Sequence, residues 1–324
     1  VTDYSYMNKF IERPVHPFPT PDAIFQSIEP GAKWFAKLDA LHGYFQIPLH
    51  EDSKLKTTFL LPQGRFYYNV APMGLNPSGD WWCYRSDAAL VGLPGVVKLV
   101  DDILVQGATC EQLLSRVRAV LVRCREHGLV LSRQKFTVGQ SVPFAGHIVG
   151  ASGVSADPEK IRAIQNFPRP VDVSGVRSFL GMANQLGHYL PDLAHMTEPL
   201  RELLKKRTAF VWTPAQQAAY DSVRQGLAQS SRLQFFDPSL PSAIFTDASR
   251  VGLGYILLQT AEDGSPRLIA CGSRSLNDAE KRYAPIELEC LGVTYALSKC
   301  DFSLRGAPEP LRVVTDHKPL VGVF

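Results

Sequence analysis

The chain of 324 residues has no apolar run near the roughly 20 residues that a membrane-spanning helix needs, and its N-terminus carries no signal-peptide pattern. Charge of one sign is also scarce. The 34 Lys and Arg against 31 Asp and Glu give a net charge of +3, which by itself does not indicate a nucleic-acid binder. With 45% hydrophobic and 20% charged residues, the composition is that of a globular protein long enough for two or three domains, and it argues against disorder.

Cysteine is infrequent and unpatterned. The six cysteines are Cys83, Cys110, Cys124, Cys271, Cys290 and Cys300. None belongs to a Cys-x-x-Cys pair and no paired histidines lie nearby, which argues against a zinc site. Scattered cysteines in a chain of this length indicate reduced thiols and an intracellular setting, with no membrane partner.

Two adjacent acids interrupt an apolar, β-branched run. Asp101 and Asp102 lie within residues 96–105, and a third carboxylate, Asp39, lies upstream within residues 35–40. Carboxylates are depleted from strands and costly to bury, so this pattern requires a compensating charge, usually a divalent cation held by oxygen ligands. An isolated Asp-Asp is more often a turn or a helix cap. Three acids from separate segments favour a two-metal site and phosphoryl transfer.

Four segments around these acids resemble the palm of reverse transcriptases, most of all those of gypsy-type LTR retrotransposons. They read KLDALHGYFQIPL (37–49), TTF (57–59), APMGL (71–75) and LVDD (99–102). Residues 1–9 are similar to the segment that links fingers to palm, and the resemblance continues to the C-terminus. It implies an RNA-directed DNA polymerase, part of a polyprotein, with a right-hand architecture of α+β class.

The resemblance assigns polymerase roles to individual residues. Asp39 and Asp101 match metal ligands, and Asp102 matches an acid that supports them. Lys135 matches the lysine suggested to protonate departing pyrophosphate, a general-acid role for which desolvation would be needed. A plain surface lysine stays an open alternative. The catalytic set is therefore Asp39, Asp101, Asp102 and Lys135.

Further positions match the family's substrate contacts. Tyr44, Met73 and Gly74 match the nucleotide-binding residues, with Tyr44 expected under the incoming sugar, although an ordinary core tyrosine is the alternative. The primer grip would comprise Phe144, Ala145, Gly146 and His147. Leu99, Met73 and residues 76–82 depart from the family pattern, which alters the walls of the nucleotide pocket without removing a metal ligand.

A second acidic set lies near the C-terminus and resembles the retroelement RNase H domain. Asp247, Glu289 and Asp316 match its metal-binding acids, and Glu289 is preferred to Glu287, which suits a first-turn acid of its helix. A further family aspartate would lie beyond Phe324 and the nucleotide-gripping fingers residues before Val1. We therefore expect a truncated RNase H-like α/β domain with negligible hybrid cleavage, and partial fingers with weak primer extension.

The expected organisation has four parts. Residues 1–150 would form the fingers remnant and palm, 151–210 a thumb-like helical region, 211–240 a connecting helix and linker, and 241–324 the RNase H-like domain. Local signals predict helices over 111–127, 173–190 and 197–206, helix starts at Asp157 and Thr213, and strands over 136–138 and 144–149.

The resemblance also implies cofactors and partners. We expect two Mg²⁺ ions per active site, with Mn²⁺ as a substitute. The partners would be an RNA or DNA template with a DNA primer, deoxynucleoside triphosphates and an RNA–DNA hybrid. The setting would be cytoplasmic or a virus-like particle, or else nuclear, and the oligomeric state stays open. A decayed or domesticated fragment that binds nucleic acid without catalysis is the main alternative, and a nuclease alone is the third.

Overall fold

A computed structural model describes residues 2–205, 208–230, 232–305 and 310–322. The chain divides into two units. Unit 1 comprises Val1–Ala145 with Val149–Ala151, and unit 2 comprises Gly146–Ile148 with Ser152–Phe324. The finer division predicted within residues 151–324 stays a prediction.

Unit 1 mixes short helices with antiparallel strands. In chain order its elements are α1 (Pro21–Gln26), β1 (Trp34–Asp39), α2 (Glu51–Lys54), β2 (Phe59–Leu61), β3 (Gly64–Phe66), α3 (Asn76–Leu90), β4 (Val96–Leu99), β5 (Asp102–Gly107), α4 (Cys110–Glu126), β6 (Thr137–Gly139) and β7 (Ser141–Phe144). Four of these strands form one sheet in the order β4-β5-β1-β6, with every neighbouring pair antiparallel.

The core of unit 1 lies between this sheet and helices α3 and α4. Leu38 and Val105 of the sheet pack with Trp82 of α3 and with Leu113 and Val117 of α4. Helix α4 begins at the cap Thr109, whose side chain accepts the backbone N–H of Gln112, and it ends before Gly128, whose φ of 64° is readily adopted only by glycine. The predicted helix 111–127 therefore agrees with the structure to within one residue at each end.

The predicted strand over 144–149 is wrong in one respect. Strand β7 ends at Phe144, and the next strand, β8 (His147–Gly150), begins only after a turn. Ala145 and Gly146 have φ values of 52° and 77°, which no strand contains. Apolar residues continue through this stretch and hid the break. Strand β9 (Gly153–Ala156) follows.

Helices follow β9 in unit 2. They are α5 (Pro158–Gln165), α6 (Val173–Gln185), α7 (Leu193–Met196), α8 (Glu198–Glu202) and α9 (Pro214–Ala228). Asp157 caps α5, and Thr213 with Gln216 forms the predicted capping box of α9. The helix predicted over 173–190 ends earlier, at Gln185, and a 3₁₀ turn covers Gly187–Tyr189. The helix predicted over 197–206 is also shorter in the structure: α8 ends at Glu202, residues 203–205 are not helical, and residues 206 and 207 lie outside the described part of the chain.

The rest of unit 2 is a mixed sheet covered by a long helix. Its strands are β10 (Ser242–Ala248), β11 (Gly252–Thr260), β12 (Pro266–Ser275) and β13 (Arg312–Val314), and helix α10 (Pro285–Leu304) precedes β13. The strand order is β12-β11-β10-β13, and only β10 and β13 run parallel. Ile244 and Leu257 of the sheet pack with Ala296 and Cys300 of α10.

Helices and mostly antiparallel sheets thus combine in both units, which confirms the predicted α+β class. None of the helices in the described part of the chain combines the length and the apolar character that crossing a membrane requires.

Candidate active sites

The first acid set lies at one end of the four-stranded sheet of unit 1. Antiparallel pairing of β1 and β5 places Asp39 opposite Asp102, and the Ala40 N–H donates to the Asp101 carbonyl at 2.9 Å. Strands β4 and β5 form a hairpin whose turn is Val100-Asp101, because Leu99 pairs with Asp102. The sheet therefore brings three acids from two segments to one end of its inner strands.

The negative charge of Asp101 is only partly offset by its surroundings. Its half-buried position raises the pKa of the carboxyl, and the neighbouring charges of Asp39 and Asp102 raise it further, against the opposing effect of two lysines. Its Oδ1 atom is buried and has no hydrogen-bond partner among the described residues. A carboxylate in this state gains from a bound cation or a proton.

Lysines neutralise the other two acids. Lys135 Nζ lies 2.9 Å from Asp39 Oδ1, and Lys37 Nζ lies 2.9 Å from Asp102 Oδ1. The bond to Asp39 raises the pKa of Lys135, whose side chain is 65% exposed. The desolvation expected for a general acid is thus not observed, although Lys135 retains its proton at neutral pH. Its catalytic role stays a prediction.

The predicted nucleotide contacts lie on two loops of unit 1. Tyr44 is half-buried in the 3₁₀ turn Gly43–Gln46, where burial and then the Asp101 charge raise its pKa. Met73 is 43% exposed. Gly74 has a φ of 95°, and its carbonyl accepts Asn8 Nδ2 at 2.8 Å, so Asn8 fixes a loop that sequence reasoning did not connect with it. Of these residues, Tyr44 lies within electrostatic range of the acids, because the Asp101 charge contributes to its raised pKa.

The predicted primer-grip residues span the turn between β7 and β8. Phe144 is fully buried in unit 1. His147 is buried in unit 2, where its Nδ1 lies 2.7 Å from Tyr189 Oη, and burial lowers its pKa to about 4. His147 is therefore neutral at physiological pH. Ala145 and Gly146 form the turn itself, with positive φ values of 52° and 77°, and both are partly buried.

Gly43 and Trp82 contact the acidic turn, a contact that the sequence did not predict for either residue. Trp82 Nε1 donates to the Val100 carbonyl at 3.1 Å. A Cβ atom at Gly43 would lie 2.6 Å from Asp101 Oδ1, which is closer than real Cβ contacts. The clue in the sequence was Gly43 beside Tyr44, since a glycine allows close backbone approach.

Basic residues follow the acidic pair along the chain, and they differ in their surroundings. Arg116 Nη1 binds Glu29 Oε2 at 2.8 Å, and Arg123 Nη2 binds the Val91 carbonyl at 3.1 Å, so both are used within unit 1. Arg118, Arg125 and Arg133 are exposed. These three exposed arginines are open to solvent or to phosphate contacts.

The second acid set lies at the carboxyl end of two parallel strands in unit 2. Phe245 of β10 pairs with Val314 of β13, and Asp247 and Asp316 each lie two residues further along the sequence. Glu289 reaches them from the second turn of α10. Ligand oxygens of Asp247, Glu289 and Asp316 all lie within 4.8 Å of one another, and no other such group of three occurs in the described residues.

The charges in this cluster repel one another. Glu289 is buried, and burial together with Asp316 and Asp247 raises its pKa, while His317 and a hydrogen bond from Thr315 oppose the shift. Ion pairs between described residues leave all three acids out. Glu287 instead accepts the Ala284 N–H at 2.7 Å and caps α10. The cluster can hold a metal through three carboxylates.

Comparisons with known proteins agree with this geometry. Residues 2–149 match the family described as "Reverse transcriptase (RNA-dependent DNA polymerase)", and residues 212–311 match the "RNase H-like domain found in reverse transcriptase". The Tf2-3 and Tf2-7 transposon polyproteins of Schizosaccharomyces pombe are each 29% identical to the chain over 325 residues, which cover 99% of it. The chain spans 24% of the length of these relatives.

Solved structures show the same fold. A foamy viral protease-reverse transcriptase in complex with an RNA/DNA hybrid matches 98% of this chain and 43% of its own, with a TM-score of 0.86 and 22% identity. A second foamy viral structure, the dRH form with double-stranded DNA, matches 99% of this chain and 57% of its own, with a TM-score of 0.85 and 21% identity.

Fold and acid sets together define a class: a polymerase palm followed by an RNase H-like domain. Within that class the chain is similar to the reverse transcriptase and the linked RNase H-like domain of retrotransposon polyproteins. The resemblance identified from the sequence is confirmed.

Proposed function

We propose that unit 1 adds deoxynucleotides to a DNA primer on an RNA or DNA template, and that unit 2 cleaves the RNA strand of an RNA–DNA hybrid. The observation that carries the polymerase proposal is Asp101, a half-buried carboxyl with an unpartnered oxygen beside Asp39. A structural ion pair would have paired that oxygen. An acid left short of positive charge at a sheet edge suits a site completed by its cofactor.

The residues fit divalent cations of the Mg²⁺ type. Both sets offer carboxylate oxygens, the hard ligands that Mg²⁺ and Mn²⁺ prefer, and neither offers a thiolate or a paired imidazole. We propose two ions per site. When bound, such ions lower the pKa of an attacking hydroxyl or water and stabilise charge on the leaving oxygen.

The chain's own residues divide the work in the polymerase site. Asp39 and Asp101 hold the cations, and Asp102, paired with Lys37, keeps the hairpin edge in place. Lys135 retains a proton 2.9 Å from Asp39, where it can be donated to departing pyrophosphate. Tyr44 supplies a wall beneath the sugar of the incoming nucleotide and rejects a 2′-hydroxyl by its bulk.

The nucleic-acid partners are proposed from the fold and the surface charge. The foamy viral relatives of known structure hold an RNA/DNA hybrid and double-stranded DNA. Exposed arginines on and after α4, namely Arg118, Arg125 and Arg133, supply the positive charge that phosphate contacts need. Deoxynucleoside triphosphates are the remaining substrate.

In unit 2, Asp247, Glu289 and Asp316 bind the cations that serve hybrid cleavage. Their mutual repulsion and the raised pKa of Glu289 are the expected properties of a metal-free carboxylate site. The hydroxyl of Thr315, which directly follows β13, donates to the Glu289 carboxylate, with 3.5 Å between Oγ1 and Oε2.

Primer extension on poly-rA with oligo-dT, dTTP and Mg²⁺ tests the polymerase proposal. We expect extension by the parent chain and none by Asp101→Asn, with primer–template affinity kept because phosphate contacts supply most of it. Template binding without extension by the parent chain would favour the alternative of a fragment that binds nucleic acid without catalysis. Equal extension by mutant and parent would remove Asp101 from the site.

A further inference from the structure

The turn that carries Asp101 has an unusual backbone. Val100 has a φ of 52°, in the left-handed region that β-branched residues rarely adopt. Such a conformation persists only where neighbouring groups hold it. Because Asp101 follows directly, whatever fixes Val100 also fixes the direction of the Asp101 carboxyl.

Trp82 of α3 is the group that holds this turn. Its indole is 2% exposed, and Nε1 donates to the Val100 carbonyl at 3.1 Å. Lys98 Nζ also approaches that carbonyl, at a longer 3.4 Å, and it is shared with Asp87 at 3.1 Å. The indole therefore provides the shorter bond, and it does so from a rigid ring within the core.

The same ring forms one side of a narrow slot around Asp101. A Cβ atom built at Gly43 would lie 2.7 Å from Trp82 Cε2 and 2.6 Å from Asp101 Oδ1. Gly43 thus closes the slot from the side of the 3₁₀ turn. Trp82 bears on Asp101 in two ways, through the Val100 carbonyl and through the wall that it shares with Gly43.

We propose that Trp82 is a positioning residue of the polymerase site: it fixes the left-handed Val100 turn and so aims Asp101 at the reacting groups. The proposal rests on the polymerase function proposed above. Tyr84 on the same helix is 58% exposed, so Tyr84→Phe offers a matched control that also keeps an aromatic ring and removes one hydrogen-bond donor.

Steady-state extension kinetics of Trp82→Phe against Tyr84→Phe provide the first test. Phenylalanine keeps an aromatic ring but lacks the N–H, which leaves the Val100 carbonyl with the weaker donor alone. We expect Trp82→Phe to lower kcat about tenfold, as for a lost buried hydrogen bond at a preorganised site, with the KM for dTTP and the primer–template Kd unchanged. Tyr84→Phe should match the parent chain.

Cation binding gives a readout that does not depend on turnover. Mn²⁺ binding is measured by electron paramagnetic resonance in an Asp247→Asn background, which removes the second acid set, and Asp101→Asn sets the baseline. Trp82→Phe should weaken the remaining Mn²⁺ binding severalfold. A residue that only fills the core would leave the affinity of the folded chain unchanged.

A rescue variant separates positioning from packing. Glycine adopts positive φ without strain. The double variant Trp82→Phe with Val100→Gly should therefore have a kcat about threefold higher than that of Trp82→Phe alone. If Trp82→Phe does not fold, Gly43→Ala tests the same slot from its other side, with the same expected loss of kcat and of Mn²⁺ affinity.

The outcomes keep the two proposals apart. If the parent chain extends primers and Asp101→Asn does not, the polymerase function stands, whatever Trp82→Phe does. If Trp82→Phe then equals Tyr84→Phe in kcat and in Mn²⁺ affinity, Trp82 positions nothing. A higher KM for dTTP or a weaker primer–template affinity, with kcat retained, would also overturn the proposal.

Discussion

In unit 1, two of three acids are bound by lysines, Asp39 by Lys135 and Asp102 by Lys37, each at 2.9 Å. In unit 2, Asp247, Glu289 and Asp316 converge with ligand oxygens within 4.8 Å, and ion pairs between described residues involve none of them. The polymerase site thus carries much of its own countercharge, whereas the second cluster relies on protons or a cation from solution.

This difference has a consequence for cation affinity. A cation at Asp39 competes with the Lys135 ammonium, which opposes binding, whereas no lysine or arginine of the described residues forms an ion pair with the three acids of the unit 2 cluster. We therefore expect the cluster of unit 2 to bind divalent cations more tightly and to be stabilised more by them. The predictions below test this comparison from the largest effect to the smallest.

The largest effect should be a reciprocal loss of activity. Asp101→Asn should reduce primer extension by about a thousandfold, the upper range for losing one transition-state charge interaction, and leave hybrid cleavage unchanged. Asp247→Asn should do the reverse. Parallel assays on labelled primer and labelled hybrid measure both. Loss of both activities in either variant would show that the two sites are not independent.

Lys135→Gln should affect rate and cation dependence in opposite directions. Loss of the proton donor should slow extension about a hundredfold, the lower range for general-acid catalysis. Loss of the competing ammonium should lower the Mg²⁺ concentration that gives half-maximal rate. Lys37→Gln is the matched control, because Lys37 binds Asp102 rather than Asp39. An unchanged rate in Lys135→Gln would end the general-acid assignment.

How much of this was predictable depended on the range of the signal. Capping residues act within one turn, so the starts of α5 and α9 at Asp157 and Thr213 followed from sequence. The hairpin at Ala145 and the early end of α6 at Gln185 did not, because apolar residues continue through both breaks.

Site residues divide in the same way. The acids could be assigned from motifs, and the structure places them together in two sets. The partners of those acids could not. The pairs Lys37–Asp102 and Trp82–Val100 join positions 65 and 18 residues apart, and no local period encodes such contacts. Asp102 in its family role gave no hint of which lysine would bind it.

Divalent cations should stabilise unit 2. At ten times the dissociation constant, binding to the folded state alone contributes about 1.4 kcal/mol. Thermal unfolding with and without Mg²⁺ should show this gain in the parent chain and in Asp101→Asn. Asp316→Asn should lose it. A gain that follows Asp101 instead would reverse the order of affinities proposed for the two sites.

The smallest effect concerns pH in the absence of metal. The raised pKa of Glu289 means that the folded state binds its proton more tightly than the unfolded state. That stability is fully present below the ordinary glutamate pKa and is lost as the pH rises through the folded-state pKa.

Glu289→Gln should remove this slope and raise the melting temperature of the metal-free chain at pH 7 by about 2–4 °C, a change of roughly 1 kcal/mol for a unit of this size. Glu287→Gln should act in the opposite direction, because Glu287 caps α10, and a lost first-turn charge costs about 0.3–1 kcal/mol. Melting curves recorded from roughly pH 4 to roughly pH 8, where the Glu289 slope is expected, compare the two variants. Equal shifts of the same sign would contradict the account of the cluster.

Isothermal titration calorimetry with Mn²⁺ tests the comparison most directly. The parent chain should show two classes of site. Asp247→Asn should remove the tighter class and Asp101→Asn the weaker one. The reason is that, among the described residues, a lysine forms an ion pair with a proposed ligand acid in unit 1 and none does so in unit 2. A tighter class that disappears with Asp101→Asn, or a single class untouched by both substitutions, would contradict it.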